Sequence, residues 1–357
     1  MVNKKIYITG TGAISPQKTF DNSLFLEEIN SMETNRMKCI DPNYKDFIAG
    51  DMIRRMSRII KMGITAAKIC LRDSDCTMPD AIITATGLGC IEDTEKFLSS
   101  MILNKEEFLT PTSFIQSTHN TVGAQIALLL KCHNYNFTYV HRGNSFETAL
   151  LDSMMRLNSG KAGNILVGGV DEITTNSFTI IQRLGFWKRK PINNIKLLDD
   201  KTRGSIAGEG AAFFLFSDEQ KVNSYAQIMD VDTFSYPKEN ADTKLHIRDF
   251  LSRNQLDTKD IDLLITGMNG DPSSDRIYHE ISDLLFPDSG KVYFKHLCGE
   301  YHTASSFALW LAAMIMKNKK IPEVVKLHDI TANDISRILI YNHYRNINHS
   351  LILVSKA

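Results

Sequence analysis

Apolar residues along this chain gather into short runs, most of them followed by a turn and a longer stretch with helical spacing. The runs Ile6–Thr9, Ala81–Thr84, Ile165–Val167, Ala211–Phe216, Ile261–Ile265 and Leu351–Val354 are apolar almost throughout. Runs of that length without polar alternation predict strands buried on both faces. Helical periodicity covers Ser57–Arg72, Thr94–Met101, Thr121–Leu130, Phe146–Asn158 and Thr303–Lys317. Strands separated by helices predict an α/β fold, a mixed sheet with helices on both sides. The polar stretch Asp218–Asn223 marks a junction. After it the pattern starts again, with strands at Ala226–Val231, Ile261–Ile265, Lys291–Phe294, Arg337–Asn342 and Leu351–Val354. Helices at Thr243–Asn254, Ile277–Leu285 and Thr303–Lys317 alternate with them. We expect a diverged duplication with halves 1–220 and 221–357, although no repeat is visible residue by residue.

A length of 357 residues is too great for one small core. Hydrophobic residues at 43% and charged residues at 23% fit a globular protein. Lys plus Arg and Asp plus Glu both number 41, so no overall field draws nucleic acid or an anionic membrane. Neither is expected as a partner. No apolar stretch approaches the ~20 residues that span a bilayer, and the run Ile6–Ile8 stops at Gly10, far short of a secretory leader's core. Cys39, Cys70, Cys76, Cys90, Cys132 and Cys298 are scattered, without a Cys-x-x-Cys pair, and the expectation is reduced thiols in a cytoplasmic protein. No spacing of Cys and His suggests a metal site, and no cofactor is implied.

The segment Asn136–Leu150 reads as a strand running into a helix, with Gly143 at the turn. Such a turn holds a side chain at a helix N-terminus, where backbone N–H groups and the dipole favour a thiolate or an oxyanion. Arg142, Gly143 and Asn144 occupy it, and none can attack a carbonyl. Gly10-Thr-Gly12 is an incomplete dinucleotide loop, read as a strand-to-loop turn. Gly204–Phe216 is a glycine-punctuated entry into a buried strand. His119 could be a base or a packed, hydrogen-bonded residue. Arg54, Arg55, Arg58 and Lys61 alternate with apolar residues, either as a solvated helix stripe or as a docking face for an acidic partner. Lys295–Phe307 gathers Lys, His, Cys and Glu. There Cys298 and His302 could form a thiolate–imidazolium couple, against the plainer reading of a packed thiol beside a surface histidine.

Together these segments resemble the β-ketoacyl synthases of the thiolase superfamily, nearly end to end. Ile6–Pro16 resembles their opening strand and loop, and Arg55-Met-Ser-Arg58 a segment near their active-site entrance. Gly168-Gly169 with Asp171-Glu172, and Gly208-Glu-Gly-Ala211, resemble their central strands. Lys295 with Gly299 and Ala304 resembles the stretch that carries a Lys and a catalytic His. The resemblance implies a thiolase-like fold of two similar αβ halves with central mixed sheets, in five layers (αβαβα). In that family a Cys at the strand-to-helix turn accepts the acyl chain. Two His bind the malonyl thioester carbonyl and assist decarboxylation, and a glycine-rich loop near the C-terminus helps build the oxyanion hole. Carried over, the Cys falls at or beside Gly143, the first His at Gly267 and the second at Glu300. The glycine-rich loop falls on Asn342–Asn348, which has no glycine, and Lys295 alone is retained. Without a thiolate no acyl-enzyme forms, a carboxylate at Glu300 repels a developing enolate, and one lost oxyanion donor typically costs roughly 100- to 1000-fold in rate.

This pattern of loss resembles chain length factors, the inactive ketosynthase-like subunits that pair with an active one, and in particular those of aryl-polyene and flexirubin-type pigment systems. Thr112–Gly123, His141–Glu147 and Cys298–Glu300 carry that closer resemblance. It implies a heterodimer with an active β-ketoacyl-ACP synthase, or else a homodimer, serving polyketide- or fatty-acid-type synthesis, with an acyl carrier protein as a further partner. It implies Phe137, Thr138, Tyr139 and Val140 as the interface strand. Phe114, Gln116, Thr118, His119 and Asn120, with Tyr344 of the former glycine loop, become tunnel residues. Arg54 and Arg58 could dock an acidic carrier. The alternative is a competent, divergent synthase or acyltransferase that uses Cys298 and His302.

Overall fold

The computed structural model describes residues 4–330 and 334–357. Its main sheet is built from β1 (Ile6–Ile14), β2 (Ala81–Ala85), β3 (Tyr135–Tyr139), β4 (Asn164–Asp171), β5 (Gly210–Ser217), β6 (Ala226–Ser235), β7 (Leu263–Thr266), β8 (Gly290–Tyr293), β9 (Arg337–Tyr344) and β10 (Asn348–Ser355). The helices are α1 (Arg58–Asp73), α2 (Ile91–Leu103), α3 (Pro111–Gln116), α4 (Thr121–Leu130), α5 (Ser145–Asn158), α6 (Thr175–Arg183), α7 (Asn240–Arg253), α8 (Pro272–Leu284) and α9 (Ser305–Asn318), besides shorter turns.

The strand order is β8-β7-β9-β10-β6-β1-β5-β4-β2-β3. Inward from the β3 edge, β3, β2 and β4 run parallel, β5 lies antiparallel to β4, and β1 antiparallel to β5. Inward from the β8 edge the same sequence recurs, with β8, β7 and β9 parallel, then β10 and β6 each antiparallel to its neighbour. The two sets share one topology and join where Ile6–Ile8 pairs with Ala226–Ile228.

Successive side chains on a strand point to opposite faces, and here that alternation sorts them into layers. Ile83, Val167 and Phe214 face a central cluster with Phe146 and Leu150 of α5 and Leu309 and Trp310 of α9. Their neighbours Ile82, Leu166 and Phe213 face outward onto Ile59 and Met62 of α1 and Val122 of α4. In the second set, Ile265, Ile340 and Ile352 join the same central cluster. Leu264, Leu339 and Leu351 pack on Phe250 of α7 and Ile281 of α8. The central helices α5 and α9 therefore lie between two sheet halves that are each covered outside. This is the expected five-layer αβαβα stack. Helix α9 is buried from Ser305 to Met316, as a helix apolar on all sides must be.

Three local expectations change. Gly10 and Gly12 do not form a turn, because β1 runs on to Ile14 with a register shift between Ile8 and Gly10. A Cβ on Gly12 would come within 2.3 Å of the Ala66 carbonyl oxygen, so this glycine serves the contact of β1 with α1. Strand β7 starts at Leu263, not Ile261, after a short helical turn, Thr258–Asp260, capped by Asp257. The stretch Asn342–Asn348 is a tight hairpin, since Asn342–Tyr344 stay in β9. Arg345 and Asn346 both take positive φ, 57° and 53°, and Ile347 N–H donates to the Tyr344 carbonyl at 3.1 Å. That is a type I′ turn, whose twist suits paired antiparallel strands.

Candidate functional site

The turn after β3 is Arg142–Asn144, and α5 begins directly behind it. Gly143 is buried there. A Cβ on Gly143 would sit 2.4 Å from the Tyr344 Cβ and 3.0 Å from its Cγ. No side chain, and so no nucleophile, fits without moving Tyr344. Tyr344 reaches this place because the hairpin carries β9 up to it on the inward face. Its ring packs on that of His302, with centroids 4.7 Å apart. Tyr344 therefore fills the space at the turn before α5.

The positions of the two expected histidines are also filled. A Cβ on Gly267 would meet the Asn342 side-chain oxygen at 2.2 Å and the Tyr278 hydroxyl at 2.6 Å. Glu300 accepts hydrogen bonds from Lys295 Nζ at 2.7 Å and from Asn269 Nδ2 at 2.9 Å. This ion pair is almost fully enclosed, with side-chain exposures of 1% and 6%. Lys295 thus neutralises the carboxylate at Glu300 instead of facing a substrate. Asp171, at the end of β4, accepts from Thr86 Oγ and Gly87 N–H on one oxygen and from Thr303 N–H and Oγ on the other. It ties the first half to the N-terminus of α9. What remains among Glu300, His302, Tyr344 and Trp187 is a cavity of about 30 Å³. That holds about one water, against the several hundred Å³ typical of a small-molecule pocket.

Cys298 and His302 do not form a couple. The Cys298 thiol is fully buried in the central core and donates to the Gly299 carbonyl at 3.3 Å. No hydrogen bond joins it to His302 among the described residues. Burial pushes the thiol pKa well up, so a thiolate is disfavoured, and burial likewise pushes the His302 imidazole toward its neutral form. A reactive cysteine needs the opposite environment. The alternative of catalysis through this pair is corrected on these grounds.

Arg58 is not free to dock a carrier, because its guanidinium is bound by Asp41 at 2.8 Å and by the buried Glu209 carboxylate. Arg54 is exposed. Nearby Glu172 is pushed up to about 8 by burial while one of its oxygens accepts from Glu92 N–H. Sequence reasoning gave no role to Asn269, nor to the side chains of Asp171 and Asn342. Only partners distant in the chain give them roles.

The expected tunnel residues lie on α3 and the loop after it. Phe114, Thr118, His119 and Asn120 are exposed, and Gln116 donates to the Arg55 carbonyl beside a separate cleft. They do not converge with Tyr344 on one cavity. The expected interface strand, β3, hydrogen-bonds to β2 alone and forms an edge of the sheet. Phe137 on it and Val140 just past it are exposed, while Thr138 faces α4 beside Thr84, with 2.6 Å between hydroxyl oxygens. Tyr139 is half-buried, its ring 4.9 Å from that of Phe137. Ile115 of α3 and Leu128 of α4 are exposed as well.

Among solved structures, the chain is similar to the ishigamide ketosynthase/chain length factor, with a TM-score of 0.83 and 16% identity over 100% of both chains. It is similar to the structure of a type II PKS acyl-carrier protein in complex with its ketosynthase bound to the hexaketide. That match has a TM-score of 0.80 and 12% identity over 99% of this chain and 100% of the other. A β-ketoacyl synthase from Burkholderia phymatum STM815 gives 0.76 and 16% over 99% and 100%. At such identities the likeness establishes the shared fold. No curated protein sequence matches the chain. Among the described residues no helix is long and apolar enough to cross a membrane. The family model for the β-ketoacyl synthase N-terminal domain matches residues 15–221, more than half of the chain, and the protein therefore belongs to the β-ketoacyl synthase family.

Proposed function

We propose that this chain is a non-catalytic ketosynthase-like subunit of the chain-length-factor kind. It pairs with a competent β-ketoacyl synthase and shapes the space into which that partner's polyketide or fatty-acyl chain grows. The observation that carries the proposal is the Tyr344 side chain packed against Gly143, which leaves no volume for a nucleophile. Asn342 at Gly267 and the Glu300–Lys295 pair support the same reading, because each occupies a place where catalysis needs an imidazole. The partner claim rests on β3, an edge strand with Phe137 exposed, and on exposed apolar residues of α3 and α4. Unpaired edges of that kind favour association. An aryl-polyene type of product and an acidic carrier protein as a further partner belong to the same proposal.

Intact-protein mass measurement after incubation with acyl- or malonyl-carrier protein tests the first part, and the expected result is no covalent adduct. A stable acyl adduct on Cys298 or any other residue would overturn it. Co-expression with a synthase that carries Cys, His and His tests the second part. The expected result is a 1:1 complex, and two separately eluting proteins would count against pairing.

A further inference from the structure

Between α2 and α3 the chain forms a tip that carries its apolar side chains outward. Ile102 and Leu103, in the last turn of α2, are 78% and 80% exposed, and Phe108, five residues on, is 90% exposed. Single apolar residues in solvent are ordinary. Three of this size so close in the chain, with Leu98 exposed one turn earlier on α2, are not. The tip is held in shape by its own backbone. Glu106 N–H donates to the Met101 carbonyl at 2.8 Å, Lys105 N–H to the Ile102 carbonyl at 3.3 Å and Glu107 N–H to the Asn104 carbonyl at 3.0 Å. Lys105, Glu106 and Phe108 take φ of 50°, 68° and 52°. Left-handed backbone is uncommon outside glycine, and for a side chain as bulky as Phe108 it is an outlier. The chain thus carries strain to hold a phenyl ring in water, and strain of that kind gathers at binding segments.

A chain of contacts leads from this tip to the edge strand. The Phe97 ring of α2 lies 5.2 Å from that of Phe114 on α3. The Thr118 and Thr121 hydroxyls, 2.9 Å apart, join the loop after α3 to α4, and Asn136 Nδ2 of β3 donates to the Gly123 carbonyl of α4 at 2.8 Å. A stable interface takes roughly 800 Å² and 20–30 residues from each partner. Strand β3 is five residues long, so the edge alone cannot supply that area. We infer that the tip between α2 and α3 is a second contact with the synthase subunit, with Phe108 as an anchor inserted into an apolar recess of that partner. The inference rests on the pairing proposed above. Aromatic anchors dominate the energetics of interfaces, and a ring on preset, hydrogen-bonded backbone loses little freedom on binding. Lys105, Glu106 and Glu107 surround it with both signs of charge, which suits a protein surface and not an anionic membrane.

The test is co-expression with a synthase that carries Cys, His and His, using the chain with photoreactive benzoylphenylalanine in place of Phe108 and, separately, Phe108→Ser. Irradiation should cross-link position 108 to the synthase. Phe108→Ser should weaken the complex about tenfold or more and leave the Tm of the chain alone unchanged. Unchanged affinity in Phe108→Ser, or an intact complex without that cross-link, overturns the contact and leaves the pairing standing. A cross-link between two copies of this chain assigns the tip to self-association and overturns it as well. So does sedimentation of the chain alone with phosphatidylcholine vesicles that Phe108→Ser abolishes. If the wild-type chain forms no complex at all, the pairing fails and this contact with it.

Discussion

The nucleophile turn and the β3 edge are separated by only a few residues of chain, yet they present opposite surfaces. Around Gly143, Gly267 and Glu300 the interior is filled by an aromatic ring, an amide and an ion pair, and the cavity beside Glu300 and Tyr344 measures about 30 Å³. At Phe137 and Val140 an edge strand and neighbouring helices keep apolar side chains in solvent. An interior packs closed because unfilled volume is costly. An apolar surface persists only where something covers it or where it is tolerated singly. The contrast teaches that a closed interior and an open apolar edge can stand a few residues apart in one chain.

The largest effect should come from splitting the buried ion pair. Lys295→Met leaves Glu300 charged and enclosed, and stability should drop by about 3–5 kcal/mol in denaturant titration. Lys295→Met with Glu300→Leu should recover most of that loss; no recovery would show that the pair does more than neutralise itself. Gly143→Ala comes next. A methyl 2.4 Å from the Tyr344 Cβ should cost about 1–3 kcal/mol through overpacking, read as a lower Tm. A neutral result would mean that Tyr344 moves easily and does not fill the space at the turn.

A smaller change follows from pH. Burial lowers His349 to about 4 and His296 to about 3, from 6.5. Between pH 6.5 and 4 the unfolded chain takes up protons that the folded chain refuses, so stability should fall as pH drops through that window. Glu172, pushed up to about 8, acts in the opposite sense, since its folded-state preference for the proton is lost as pH rises from 4.5 to 8. Tm measured across pH 4–8 should fall less steeply on the acid side in His349→Gln. An unchanged slope would remove His349 as a cause. The smallest effect on stability belongs to the surface. Phe137→Ser should shift folding free energy by no more than about 0.5 kcal/mol and yet abolish co-purification with a synthase partner. A variant that still co-purifies would place the interface elsewhere.

Much of the fold was legible because long apolar runs with helical stretches between them leave few ways to bury both. The ends of elements were less so. Capping at Asp257 moved the start of β7, and the glycines of β1 looked like a turn when they serve a helix contact. Gly143, Gly267 and Glu300 were singled out by resemblance, and the structure adds what packs against each. No local pattern could have shown that Asn342 faces Gly267 or that Asn269 bonds Glu300, because those pairs are set by strand register across the sheet.

By itself, then, the sequence determined which segments are strands and helices, that the pattern recurs, and that no nucleophile stands at the turn before α5. Periodicity and residue type carry that information locally. Only the tertiary structure decided that Tyr344 packs against Gly143, that Asn342 stands at Gly267, and that Cys298 is sealed away from His302. These are facts of packing between residues far apart in the chain, and sheet pairing, not composition, brings them together.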